Sequence, residues 1–135
     1  MTVLYVDSSA LLKRVVVEAE SLAVGVLLRE RHLAGDLLTA SSLAWLEVWR
    51  SLRRGGVADL EAGVQAALAG IAEHPFDEAL LQRARRVGAD DLRSLDAIHL
   101  ASAIAVGADE ILTYDTRLAG AATAAGLVAL APTGR

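Results

Sequence analysis

Four acidic residues set the chemical question. Asp7 closes a short β-rich run, Val3 to Val6, and Asp115 closes a second one, Glu110 to Tyr114. Asp96 lies near the start of the helical segment leading into that second run, and Glu47 sits mid-helix in L-E-V-W-R. Open parallel sheets place their functional crevice at the carboxyl ends of the strands. Acids at such positions can therefore converge on one crevice. Carboxylates held that close repel one another and cost free energy to desolvate, a cost that a cation among them removes. Hard oxygen ligands without His or Cys companions suit Mg²⁺ or Mn²⁺. Each acid also has a plain structural reading. Asp7 and Asp115 precede helices and can cap their free N–H groups, and Asp96 in a first turn complements the helix dipole. Glu47 has Arg50 three residues on, the spacing of a solvated ion pair. Taken one residue at a time, both readings stay open.

Other residue types invite a role. His99, three positions after Asp96, reads first as a packed histidine bonded to a neighbour in an alanine-rich helix; metal binding or general-base work is the alternative. Trp45 and Trp49, at i and i+4, read as a core stripe, the alternative being a patch for a partner or a second copy. His32 and His74 fall at element ends and suggest no role. Arg14, Arg50, Arg54, Arg93 and Arg117 are candidates for phosphate contacts at the rim of an acidic pocket, against a solvated surface role for each.

These residues need elements to position them. After Asp7, Ser8-Ser9 offers a cap for a helix through Ala10, Leu11, Leu12 and Val15. A second helix is expected from Glu20 to about Leu33, with Leu22, Val26 and Leu33 on related faces. Leu37 to Ala40 reads as a strand, and Ser41 or Ser42 caps a helix that Gly55-Gly56 stops. One amphipathic helix is expected from Asp59 to Glu73, another from about Glu78 to Val87. Ser94 caps a helix over Asp96 to Ala105. Asp115 caps a helix to about Ala125, and Leu127 to Leu130 is a last strand. Short strands alternate with helices and no hairpin signal joins neighbouring strands, so an α/β layered fold with a mainly parallel sheet is expected. No linker, repeat or low-complexity tract divides residues 1–135, which read as a single domain.

Composition narrows the function classes. The chain has 135 residues, enough for a substantial core, and 54% are hydrophobic, which excludes a wholly disordered chain. There is no cysteine, so disulfides and thiolate metal sites are excluded. Thirteen basic against seventeen acidic residues give a net charge of −4, so bulk charge does not hold this chain on nucleic acid. M-T-V-L-Y-V-D has neither a basic n-region nor a long apolar h-region, and no apolar run approaches about eighteen residues. A soluble cytoplasmic protein, without a membrane span, is the expectation.

The neighbourhoods of the acids are more specific than the acids themselves. V-D-S-S-A-L at the N-terminus, L-E-V-W-R around Glu47, R-S-L-D-A-I-H-L-A-S-A around Asp96, L-T-Y-D-T-R-L around Asp115 and the closing A-A-x-x-x-G-L together resemble PIN-domain ribonucleases, especially VapC-type toxins of toxin–antitoxin pairs. The segments occur in order and span residues 3 to 130. The resemblance implies a three-layer α/β/α sandwich with an acidic pocket for divalent metal, Mg²⁺ or Mn²⁺. It assigns Asp7, Glu47, Asp96 and Asp115 as catalytic and metal-binding residues, with Ser9 and Thr116 supporting them. It further implies metal-dependent endoribonuclease activity on RNA, tRNA or rRNA being plausible substrates, a VapB-like antitoxin partner and a homodimer. The alternative is a PIN-like module that binds RNA or protein without catalysis, against which the intact set of four acids argues. Haloacid-dehalogenase-like phosphatases need a second acid where this chain has Ser9. A dinucleotide-binding fold needs a glycine-rich first turn, which D-S-S-A does not supply.

Overall fold

The computed structural model describes residues 1–133, so the last two positions of the domain expected over 1–135 lie outside the described residues. Five strands, β1 (Val3–Val6), β2 (Leu37–Ser41), β3 (Ala72–His74), β4 (Glu110–Leu112) and β5 (Val128–Leu130), form one sheet in the order β3-β2-β1-β4-β5. Every pairing is parallel. The helices are α1 (Ser8–Leu12), α2 (Ser21–Leu33), α3 (Ser42–Arg54), α4 (Leu60–Leu68), α5 (Glu78–Ala84), α6 (Ser94–Ala105) and α7 (Thr116–Ala124).

Alternation along the strands assigns the two faces. Leu4, Val6, Leu38 and Leu112 point into a core with Ala10, Leu11, Val24, Leu28, Val48, Leu52 and Val64, which come from α1 to α4. Tyr5 and Ile111 point the other way, into a core with Leu100, Ala103, Leu118 and Ala122 from α6 and α7. The central strand is thus apolar on both faces, as a parallel sheet covered by helices requires. The expected three-layer α/β/α sandwich is the observed architecture. The strand order reverses direction at β1, next to β4, so the crevice of this sheet lies at their carboxyl ends.

The opposite, amino end of the sheet is tied by acids that all have partners. Asp36 Oδ1 accepts the Thr2 N–H at 3.1 Å and Asp109 Oδ2 accepts the Val3 N–H at 2.8 Å. Arg31 of α2 forks onto both oxygens of Glu110, with Asp36 3.5 Å away.

Several local expectations are corrected. The helix read from Asp59 to Glu73 stops at Leu68; Gly70, at φ +76°, turns the chain, and Ala72–His74 becomes the edge strand β3. A-E-H lacks β-branched residues, so pairing with β2, not propensity, makes it a strand. The first helix ends at Leu12 instead of running to Val15, because Val15-Val16-Val17 is a β-branched run with poor helix propensity. Helix α5 ends at Ala84, short of Val87. Ser94 opens α6 as its first residue, the N-cap being Arg93. On α2 the buried residues are Val24 and Leu28, whereas Leu22 and Leu33 are each 73% exposed and Val26 also faces out. Helical spacing alone fits either stripe, and contact with β2 selects one. Trp45 packs against the core, but Trp49 is exposed, so the tryptophan stripe is only half a core stripe.

Candidate active site

Asp7 follows β1 directly, and its backbone N–H bonds to Leu112 O of β4, which fixes the residue in the crevice between the two central strands. The side chain is 5% exposed. Its Oδ2 accepts hydrogen bonds from Ser9 Oγ at 2.7 Å and Thr113 Oγ1 at 2.9 Å. Those hydroxyl oxygens in turn accept the backbone N–H groups of Tyr114 (2.9 Å) and Asp115 (3.0 Å). A hydroxyl has one proton to give, so both protons are directed at Oδ2. The Ser9 N–H lies 3.4 Å from Oδ2, so capping of α1 is the lesser part of what Asp7 does. Oδ1 faces His99 Nε2 at 3.5 Å.

Glu47 reaches the crevice from α3. Its Oε1 lies 2.5 Å from His99 Nε2, so its partner is a buried histidine and not the Arg50 that its spacing suggested. His99 is 1% exposed, and its Nδ1 bonds to the Tyr5 hydroxyl at 2.7 Å. Burial by itself depresses the imidazole, but the Glu47 hydrogen bond and the charges of Asp7, Glu47 and Asp96 outweigh it and raise His99 above its ordinary 6.5. One side-chain donor atom each from Asp7, Glu47 and His99 lies within 4.8 Å of the others.

Asp96, in the first turn of α6, is half-buried. Burial, then the charges of Asp115 and Asp7, raise its carboxyl above the ordinary 3.8. Asp96 therefore stands in the field of two other carboxylates, the electrostatic mark of acids crowded at one place. Asp115 caps α7, its Oδ1 accepting the N–H groups of Arg117 (2.9 Å) and Leu118 (3.2 Å). For Asp115 the capping reading and a place beside the crevice hold together. Asp7 and Glu47 meet at His99, and Asp96 lies in the field of Asp7 and Asp115; the mutual repulsion of such carboxylates is what a hard divalent ion would relieve.

Around them, Ser9 has the supporting place expected of it. Thr116 does not: it is exposed at the start of α7, and Thr113 supplies the hydroxyl instead. Thr113 was legible as a hydroxyl at a strand end two residues before Asp115, whereas nothing local marked Tyr5, an ordinary strand residue until His99 is placed against it. Arg14 leaves the list of rim arginines, because it donates to the carbonyls of Ala67 (2.9 Å) and Ala69 (2.8 Å) at the end of α4. Arg50, Arg54, Arg93 and Arg117 remain exposed, and Arg50 and Arg54 line a groove of about 390 Å³ that runs from Glu47 between Leu12, Leu46 and Leu95.

The PIN domain family pattern matches residues 4–124. Ribonuclease VapC46 of Mycobacterium tuberculosis is 40% identical over 134 residues, which cover 98% of this chain and 99% of that protein. Ribonuclease VapC47 of the same species is 31% identical over 131 residues, 96% of either chain. Among solved structures, the fold resembles VapBC2 from Rickettsia felis, bound to a DNA fragment from their promoter, with a TM-score of 0.74 at 10% identity over 96% of this chain and 98% of that one. It also resembles M. tuberculosis VapC20, a toxin that cleaves the sarcin-ricin loop, with a TM-score of 0.68 at 19% identity over 96% and 99%. At those identities the structural likeness concerns the fold, while the sequence relatives and the family pattern concern descent: the chain belongs to the PIN-domain family, among the VapC ribonucleases.

Proposed function

We propose that this chain is a metal-dependent endoribonuclease that hydrolyses phosphodiester bonds in RNA, the toxin of a type II toxin–antitoxin pair. The observation that carries the reading is the buried Asp7 carboxylate, held through Oδ2 by two hydroxyls with Oδ1 3.5 Å from His99 Nε2 and a donor atom of Glu47 within 4.8 Å. Near-full-length identity to VapC ribonucleases supports the same activity. Asp7, Glu47, Asp96 and Asp115 are the residues that would hold Mg²⁺ or Mn²⁺. Bound there, the metal would lower the pKa of water and neutralise the non-bridging phosphate oxygens. The chain's own residues do the rest. Ser9 and Thr113 fix the Asp7 carboxylate, and a carboxylate of the set not engaged by the metal would orient the attacking water and accept its proton. Arg50 and Arg54, on the groove beside Glu47, are placed to meet backbone phosphates.

The rest of the reading is biological. A VapB-like antitoxin would restrain the activity by laying a segment into an apolar groove near the acids. A homodimer fits the exposed apolar side chains Leu22, Val26 and Leu33 on α2, and a cytoplasmic setting fits an RNA substrate, tRNA or rRNA. Among the described residues no helix is long and apolar enough to cross a membrane.

The test is cleavage of total cellular RNA by purified protein in Mg²⁺, Mn²⁺ or EDTA, with Asp96→Asn alongside. Discrete fragments that require metal and vanish in the variant are expected. A folded, antitoxin-free protein that cuts nothing in either metal overturns the enzyme in favour of a binding module.

A further inference from the structure

Nothing in the family resemblance assigns a role to His99, yet its surroundings are the most constrained in the crevice. Nε2 faces two carboxylates, Glu47 Oε1 at 2.5 Å and Asp7 Oδ1 at 3.5 Å. A bare lone pair against two negative oxygens is repulsive, so Nε2 carries a proton. On the far side, the Tyr5 hydroxyl accepts the Ser41 N–H at 3.0 Å and points its own proton at Nδ1, 2.7 Å away. A neutral ring has one donor and one acceptor nitrogen, and Tyr5 makes Nδ1 the acceptor. The donor facing Glu47 is therefore Nε2–H.

We propose that His99 is a positioning residue which, oriented by Tyr5, holds the Glu47 carboxylate in the crevice through Nε2–H and is not itself a metal ligand. With a proton on Nε2 and a hydrogen bond on Nδ1, neither nitrogen offers a free lone pair. Glu47 needs such a hold more than Asp7 or Asp115 does. Asp7 is fixed by two hydroxyls and Asp115 by two backbone N–H groups, while Glu47 stands mid-helix on a long flexible side chain with His99 as its partner. The same Nε2–H offsets the repulsion between Glu47 and Asp7 before any cation arrives. Partners of this kind, one step out from a metal, are worth roughly 10–100-fold in affinity or activity. The inference rests on Asp7 and Glu47 forming the metal centre.

The experiment compares wild-type protein with His99→Leu, His99→Gln and Tyr5→Phe. Mn²⁺ affinity is read by electron paramagnetic resonance, and the ring nitrogens of metal-free wild type by ¹⁵N nuclear magnetic resonance. The expected results are a proton on Nε2 with Nδ1 as acceptor in the neutral ring, and Mn²⁺ binding weakened about 10–100-fold in His99→Leu. His99→Gln, whose amide N–H can replace the Nε2–H, recovers most of that loss. Tyr5→Phe weakens Mn²⁺ binding in the wild-type background but has no further effect in His99→Gln. The nitrogen spectrum and the Gln and Phe variants decide the question even if His99→Leu does not fold. Unchanged Mn²⁺ affinity in His99→Leu, a proton resident on Nδ1 alone, or ¹⁵N hyperfine coupling of the ring to bound Mn²⁺ overturns the positioning role. Wild-type protein that binds no Mn²⁺ overturns the metal centre itself, a distinct result.

Discussion

The two ends of the parallel sheet use the same residue type in opposite ways. At the amino end Asp36, Asp109 and Glu110 are met by two strand N–H groups and the Arg31 fork. At the carboxyl end Asp7, Glu47, Asp96 and Asp115 crowd together with no lysine or arginine paired to them among the described residues. The chain's single lysine, Lys13, is engaged by Glu18 and Glu20 and sits over the Tyr114 ring. Acids paired with a cation stabilise the fold, whereas acids crowded without one repel each other, a cost that a bound cation would remove. The difference separates carboxylates that have a cationic or backbone partner at the amino end from those crowded without a Lys or Arg at the carboxyl end, which composition cannot do.

The largest expected effect comes from breaking the carboxyl end. Asp7→Asn keeps the helix cap and can turn its amide oxygen to the Ser9 and Thr113 hydroxyls. RNA cleavage should nevertheless fall by at least about 100-fold, the scale of losing one group aimed at transition-state charge. Thermal melts in EDTA should stay level or rise. Loss of structure in place of activity would move Asp7 to the amino-end class.

Arg31→Met breaks the other end. It leaves the partly buried carboxylates of Glu110 and Asp36 without their cation and should cost about 1–3 kcal/mol in denaturant titration. Cleavage per folded molecule should stay at the wild-type level, the reverse of Asp7→Asn.

The pH dependence sharpens the contrast. Asp96 binds its proton more tightly folded than unfolded, so its contribution favours the fold as pH falls through its raised value toward 3.8. His99, raised above 6.5, contributes stability that is fully present below 6.5 and is lost as pH rises through its folded value. Both therefore make metal-free protein less stable as pH rises. Asp96→Asn should be more stable than wild type in EDTA at neutral pH, with the gap closing in acid. Saturating Mg²⁺ should stabilise wild type more than the variant. Melting curves across pH, with and without metal, check both points.

The smallest effect belongs to α2. Leu22→Ser, on the exposed stripe, should change stability by no more than about 0.5 kcal/mol. Leu28→Ala, on the buried one, should cost about 2–5 kcal/mol. A large loss from Leu22→Ser in monomeric protein would restore the helical face first expected from the spacing.

What the chain determined by itself is local. Strand runs ending on Asp7 and near Asp115, a serine cap at 41 or 42 and the glycine stops needed only nearest-neighbour chemistry, and they were enough for the fold class; the four acids were singled out by the order of the segments that resemble the family. Tertiary structure decided what depends on distant partners. It made a strand of Ala72–His74 by offering the β2 edge, chose the Val24 and Leu28 face of α2, and moved Arg14 from the rim to a helix end. It replaced Thr116 with Thr113, and joined Tyr5, Glu47 and His99 across separations of 52 and 94 residues. The physical reason is the same in each case. A side chain's local spacing fixes which directions it can point, but only the folded neighbour fixes which of them is buried, paired or left charged.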